Sequence, residues 1–289
     1  MTRPAGKRLG LCQDLSPNGA NRMAWISVIF LLTSACCSAA AGTPLAVYAI
    51  NEGSLAQMQK RHPLASVEVD DPVYRRKQRY QGFWLRDLLK DLSYAGHPES
   101  DVYVRFRCQD GYLPIMPLSR ALKAEGLIAI RDLGAPPGKN WEPFLANGEP
   151  ATPAPSYLVW VSPPGGTEEY PWPYRIVAIE LTSSADALGS AVPDRARMSG
   201  HDLFVKHCLK CHAINGVGGT FGPELNSPCS VTEYWNPGFL SRFIANASSI
   251  RARTKMPDFH AMSGKDIQAI IEYLEYIRTL RSRTCFGQE

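Results

Sequence analysis

The chain has 289 residues, a formal net charge of +4, 45% hydrophobic residues and eight cysteines. That length suits two domains, each able to bury its own core. The near-balanced charge argues against nucleic acid as a partner.

Arg3, Lys7, Arg8 and Arg22 precede a twelve-residue apolar stretch, 24–35, and Ala39-Ala40-Ala41 offers a small-residue cleavage site before Gly42. This pattern predicts an export signal over residues 1–41 and a periplasmic protein. A retained membrane anchor is the competing reading, but the stretch is short for a span, and no later segment could cross a bilayer. Cys36 follows Thr33-Ser34-Ala35, a poor lipid-attachment site. Removal of the leader lowers the charge to about +1. Five cysteines then remain: Cys108, Cys208, Cys211, Cys229 and Cys285.

Residues 44–183 read as a mixed α/β domain. Strands are predicted over 45–50, 66–69, 102–107, 157–161 and 175–181. Leu85, Leu88, Leu89 and Leu92 mark a short amphipathic helix, and another begins at Ser119. Proline and glycine crowd 135–155 and 163–173, predicted as loops. Asp70 and Asp71 read as a solvated turn, and Arg75, Arg76, Lys77 and Arg79 as an exposed loop or an anion site. Trp141, Trp160 and Trp172 read as core or loop anchors. Small and polar residues make 184–197 a linker.

Cys208-Leu209-Lys210-Cys211-His212 carries the most specific chemistry. Two thiols at this spacing can add across the vinyl groups of one haem, and the adjacent imidazole is placed for an axial position on iron. A zinc site would need a second ligand pair, which Cys229 and the later histidines do not supply. A redox Cys-x-x-Cys would need a βαβ context, which is missing here. Met256, in Lys255-Met256-Pro257, lies forty-four residues beyond His212 and is the candidate sixth ligand; a thioether there favours electron transfer. Met262 and His260 are its rivals. A helix is predicted over 198–211, with Ser199 able to cap it. A second starts at Ser263, with Asp266 in a box-like cap and Ile267, Ile270, Ile271, Leu274 and Ile277 as its apolar stripe. Phe204 and Tyr273 are expected to meet across the two. Gly216, Gly218, Gly219, Gly222 and Pro223 form a loop that can run close to a porphyrin.

These motifs, in this order, resemble the class I c-type cytochromes. The likeness spans 199–280 and includes Gly200, Leu203-Phe204, Gly219-x-x-Gly222-Pro223-x-Leu225 and Glu272-Tyr273-Leu274. It implies an all-α domain over 198–283 with haem c on Cys208 and Cys211, His212 proximal and Met256 distal. Cys229 departs from the family, in an apparent insertion over 226–235; it and Cys285 are candidate disulfide partners, which leaves Cys108 free and buried. In the first domain, Tyr80-x-Gly82-x-x-Leu85-x-Asp87-Leu88-Leu89, Asp110-Gly111-Tyr112 and Asn147-Gly148-Glu149-Pro150 resemble the molybdopterin-binding fold of sulfite-oxidase-type enzymes. The motif carrying that family's molybdenum-ligating cysteine is absent, and Cys108 is out of place for the role. The resemblance therefore implies the fold in a cofactor-free form, and fold alone confers no activity.

The expected function is single-electron transfer through one covalent haem, with the first domain docking a redox partner such as a dehydrogenase or oxidase. The alternative is a sulfite-oxidase-like oxidoreductase, or its electron-accepting subunit, fused to its own haem. A gas sensor would need an open iron position, which Met256 would deny. Arg242, Arg251, Arg253 and Lys255 are expected to place positive charge near the haem edge, where an acidic partner would be steered. The single Cys-x-x-Cys-His predicts one haem per chain that resists acid–acetone extraction. A pyridine haemochrome assay giving a ratio near two, or a haem that extracts freely, would refute it.

Overall fold

The computed structural model describes residues 43–146, 148–189 and 193–281. The expected leader, Asn147 and Cys285 lie outside the described residues.

The first part is built on two antiparallel sheets. In chain order it runs β1 (Ala46–Ala49), α1 (Glu52–Arg61), β2 (Ala65–Asp71), β3 (Arg76–Trp84), α2 (Leu85–Lys90), β4 (Val102–Cys108), β5 (Ile115–Pro117), α3 (Leu118–Lys123), β6 (Glu125–Asp132), β7 (Phe144–Ala146), β8 (Glu149–Ala151), β9 (Tyr157–Val161) and β10 (Ile176–Ser183). One sheet has the order β1-β10-β4-β5 and the other β2-β3-β6-β9. Val104 and Phe106 of β4 and Ile179 of β10 join Phe83, Ile128 and Trp160 of the second sheet in one core, sealed by Met58, Leu85 and Leu88 from the helices. The second sheet buries Val69, Tyr80, Leu127, Tyr157 and Val159 in another cluster. Both its faces are therefore covered, which suits the apolar run Leu127-Ile128-Ala129-Ile130 in β6.

The second part is mainly helical. It comprises α5 (Met198–His207), the two-residue strands β11 (Ala213–Ile214) and β12 (Val217–Gly218), α6 (Val231–Tyr234), α7 (Pro237–Ala245), α8 (Ala247–Ile250) and α9 (Gly264–Thr279); α4 (Ser184–Leu188) connects to it. Ser263 caps α9 by accepting from the Asp266 amide. The expected stripe on α9 is buried throughout. Phe204 meets Tyr273 with ring centroids 5.6 Å apart. No helix among the described residues is long and apolar enough to cross a membrane.

Several expectations are corrected. Asp71 is not a solvated turn: only 2% exposed, it accepts from the amides of Val73 and Tyr74 and from the Tyr80 hydroxyl. The basic run is a loop only at Arg75, in the turn: Arg76 to Arg79 open β3, with Lys77 and Arg79 on the outer face and Arg76 on the face of Gln78 and Tyr80, where it reaches Glu142 at the exposed end. The predicted loop 135–155 contains the β7–β8 hairpin. The linker begins as α4, because Ser183 caps it and Ala187 is buried. Ser199 lies inside α5, whose N-cap is Arg197 without a side-chain bond, and the helix ends at His207. Helix α1 and strands β3 and β6 were not expected at all.

Helices α5 and α9 meet at Gly200, where a Cβ would lie 2.1 Å from the carbonyl oxygen of Ala269. Neither backbone can yield without parting the helices. Gly200→Val is predicted to destabilise the chain by about 1–3 kcal/mol through overpacking, read as a lower Tm. An unchanged Tm would show that the helices separate freely.

Candidate functional site

Helix α5 ends where the thiols begin. The amides of Cys208 and Leu209 both bond the Phe204 carbonyl, at 2.8 and 3.0 Å, and those of Cys211 and His212 bond the Cys208 carbonyl, at 3.0 and 2.9 Å. This tight turn puts both cysteines and the histidine within one compact segment. Cys208 and Cys211 are free thiols, neither fully buried nor fully exposed. Burial pushes their pKa values up, to about 12 and about 11, so both are protonated at neutral pH. Addition across a vinyl group consumes a thiol S–H, and these two carry theirs.

His212 is oriented from behind. Its Nδ1 lies 2.8 Å from the Pro223 carbonyl oxygen, which makes Nδ1 the protonated nitrogen. Nε2 has no hydrogen-bond partner among the described residues and keeps its lone pair. Burial pushes the imidazole pKa below its usual value, holding the ring in the neutral form that ligates metals. Gly222 packs flat on the ring: a Cβ there would lie 2.5 to 2.9 Å from three ring atoms. The glycine loop is therefore a cradle that only a missing side chain permits, and Nδ1–H···O=C is the outer-shell bond that fixes a ligating imidazole.

Glu224 holds this loop closed, and sequence reasoning did not single it out. Its carboxylate accepts from the amides of Asn215, Gly216 and Asn226, at 2.9, 3.1 and 2.9 Å. Asn226, 1% exposed, donates to the Asn215 side chain at 2.9 Å. The available signal was Asn215-Gly216, a turn pair; both residues have positive φ.

Across the helical cluster lie the candidate sixth ligands. Met256 and Met262 both pack against the buried core of the helices. His260 is 66% exposed beside Asp258, so it is turned to solvent. Ser248 donates its amide and hydroxyl to Asp258, at 2.9 and 2.6 Å, anchoring the loop. The Lys255 ammonium lies 5.7 Å from the Phe221 ring centroid, tying the Met256 segment to the loop of His212. Arg242, Arg251, Arg253 and Lys255 are all exposed. Cys108 is free and buried. Cys229 is disulfide-bonded, with its partner outside the described residues.

A protein-family profile described as "Cytochrome C oxidase, cbb3-type, subunit III" matches residues 195–274. The C-terminal part is a c-type cytochrome domain. The match covers the thiol pair, the imidazole, the glycine cradle and both methionines, and it supports a haem-based electron carrier. No curated protein sequence matches the chain significantly. The residues fit the group that the family implies: two S–H thiols, a neutral imidazole with a free nitrogen, and apolar side chains around them.

Gly222→Ala is predicted to push the His212 ring out of its cradle. Haem content per chain should fall, and the Soret band should shift or broaden in what remains. Normal haem loading with an unaltered spectrum would show that the cradle does not position the ring.

Proposed function

We propose that this is an exported, periplasmic monohaem cytochrome that transfers single electrons, with an N-terminal domain that engages its redox partner. The observation that carries the reading is His212, oriented by its 2.8 Å bond to the Pro223 carbonyl, beside the two free thiols of Cys208 and Cys211. Cys208 and Cys211 would hold haem c covalently and His212 would supply the proximal ligand through Nε2. The haem contributes a one-electron iron couple. The protein's residues fix the ring orientation and keep water away.

Met256 is our choice for the distal ligand. Pro257 stiffens the chain beside it, its amide bonds the Thr254 hydroxyl at 3.2 Å, and Lys255 ties it to Phe221. A sulfur ligand would occupy the sixth position and favour electron transfer over gas binding. We put the boundary between domains within residues 184–197 and read the first domain as a cofactor-free relative of the sulfite-oxidase-type fold. Positive charge at Arg251, Arg253 and Lys255 suits a partner with an acidic face. The disulfide partner of Cys229 is proposed to be Cys285, because Arg281 bonds the Pro228 carbonyl and the Glu233 carboxylate, bringing the chain back within four residues of Cys285.

Met256→Ala is expected to abolish the weak sulfur-to-iron band in the far red of the oxidised spectrum and to lower the reduction potential. Met262→Ala should leave the band in place. The reverse pattern would transfer the ligand to Met262.

A further inference from the structure

The Asp110-Gly111-Tyr112 turn, between β4 and β5, lies against the thiol segment of the cytochrome domain. The Leu113 amide donates to the Lys210 carbonyl at 2.8 Å, and the Thr220 amide donates to the Gly111 carbonyl at 2.8 Å. Lys210 sits between Cys208 and Cys211, and Thr220 sits in the glycine loop. Tyr112 is thus held between two main-chain bonds that cross from one part to the other. Gly111 has φ +90°, and a Cβ on it would lie 2.4 Å from the Thr220 hydroxyl and 2.9 Å from the Phe221 amide nitrogen. The approach is closer than any side chain allows.

Side chains reinforce the contact. Glu168 pairs with Lys210 at 3.0 Å, and Glu169 pairs with Lys206 at 3.5 Å. Ile115 of β5 and Leu188 of α4 pack on the helical core. The Lys210 carbonyl that accepts from Leu113 belongs to the peptide bond leading into Cys211, so the turn lies beside Cys211, where a thioether would form.

We infer that the N-terminal part is a fixed cover over the thioether edge of the haem, with Gly111 and Tyr112 closing that edge to solvent and to other proteins. The inference rests on haem attachment at Cys208 and Cys211. It makes the first domain a permanent wall of the haem site, and a redox partner must reach the iron by another face. Water excluded from a haem edge raises the potential, because solvent stabilises the more highly charged oxidised form.

The test uses the full-length holoprotein and two glycine variants. Gly111→Val drives a side chain into Thr220. Gly138→Val is the matched control, because Gly138 also has positive φ (+77°) but a Cβ there meets nothing within 4 Å. Gly111→Val should lower the reduction potential and raise several-fold the rate of reduction by a small neutral reductant, whereas Gly138→Val should change neither. Equal behaviour of the two variants would overturn the cover. Amide hydrogen exchange on the unmutated holoprotein keeps the test open should Gly111→Val fail to fold. The Leu113 and Thr220 amides should exchange as slowly as those of β4, and fast exchange at both would also overturn the proposal. Neither exchange nor the variant comparison decides whether haem is covalent; the haemochrome assay does, so the two readings fail separately.

Discussion

The contact between Gly200 and the Ala269 backbone sets the rest of the cytochrome domain. Helix α5 can lie against α9 only because no Cβ stands between them, and the crossing fixes where α5 ends. The Phe204 carbonyl then starts the turn that carries Cys208 to His212, and the Cys208 carbonyl finishes it. From that end the imidazole must reach back to Pro223, so the loop has to pass within van der Waals distance of the ring. Gly222 permits the approach, and Glu224 makes the loop hold that shape by tying up three amides. Each step is cheap once the previous one is in place, and none would form alone, because fixing a loop of this length costs about 1–2 kcal/mol per residue in backbone entropy.

Buried charge plays a different role in the first part. Glu180 on β10 lies 3.0 Å from Arg105 and 2.7 Å from Arg107 on β4. Arg105 is 3% exposed, and burial pushes its pKa down against the pull of Glu180. Such a pair adds little net stability, yet removing one partner would strand the other charge. It lies on the face of β4 opposite the apolar core, the face that also carries Tyr103. At Arg105 that face is closed over, while Arg107 stays exposed, and α4 folds back there instead of running on as an open linker. Capping by Ser183 and burial of Ala187 make this a local consequence of sequence.

How much could be read in advance follows the same division. The thiol pair, the histidine, the glycine loop and the stripe on α9 were legible because each is a spacing, and spacing survives without knowledge of the fold. The outer strands of the first part were legible where apolar residues cluster, as in β9. Strand β3 was not, because Arg76, Lys77 and Arg79 alternate with polar Gln78 and the inward positions are Gln and Tyr, so its period looks like a charged loop. Strand β6 was lost for the opposite reason: an apolar run buried on both faces has no period at all. Asp71 was misjudged because adjacent acids are usually solvated, and only tertiary structure supplies the Tyr80 hydroxyl and two amides that keep it buried. Glu224 was invisible because an acid in a loop gives no sign that three amides converge on it.

The two candidate sulfurs differ in what moving them would disturb. Met262 stands directly before Ser263, whose hydroxyl caps α9, and its own amide bonds the Phe259 carbonyl at 2.9 Å. Drawing its sulfur towards an iron would pull on the start of the longest helix in the domain. Met256 stands in a segment tied down on both sides, by Thr254 and Lys255 before it and by Asp258 after it, with Pro257 limiting the chain between. A ligand presented from such a segment loses little further entropy on binding, and its movement is absorbed before it reaches α9. Lys255 also connects the Met256 segment to Phe221, two residues from Pro223. The loop that aims the His212 imidazole and the segment that carries Met256 are thus held by one set of contacts, so strain on either side would reach both residues together.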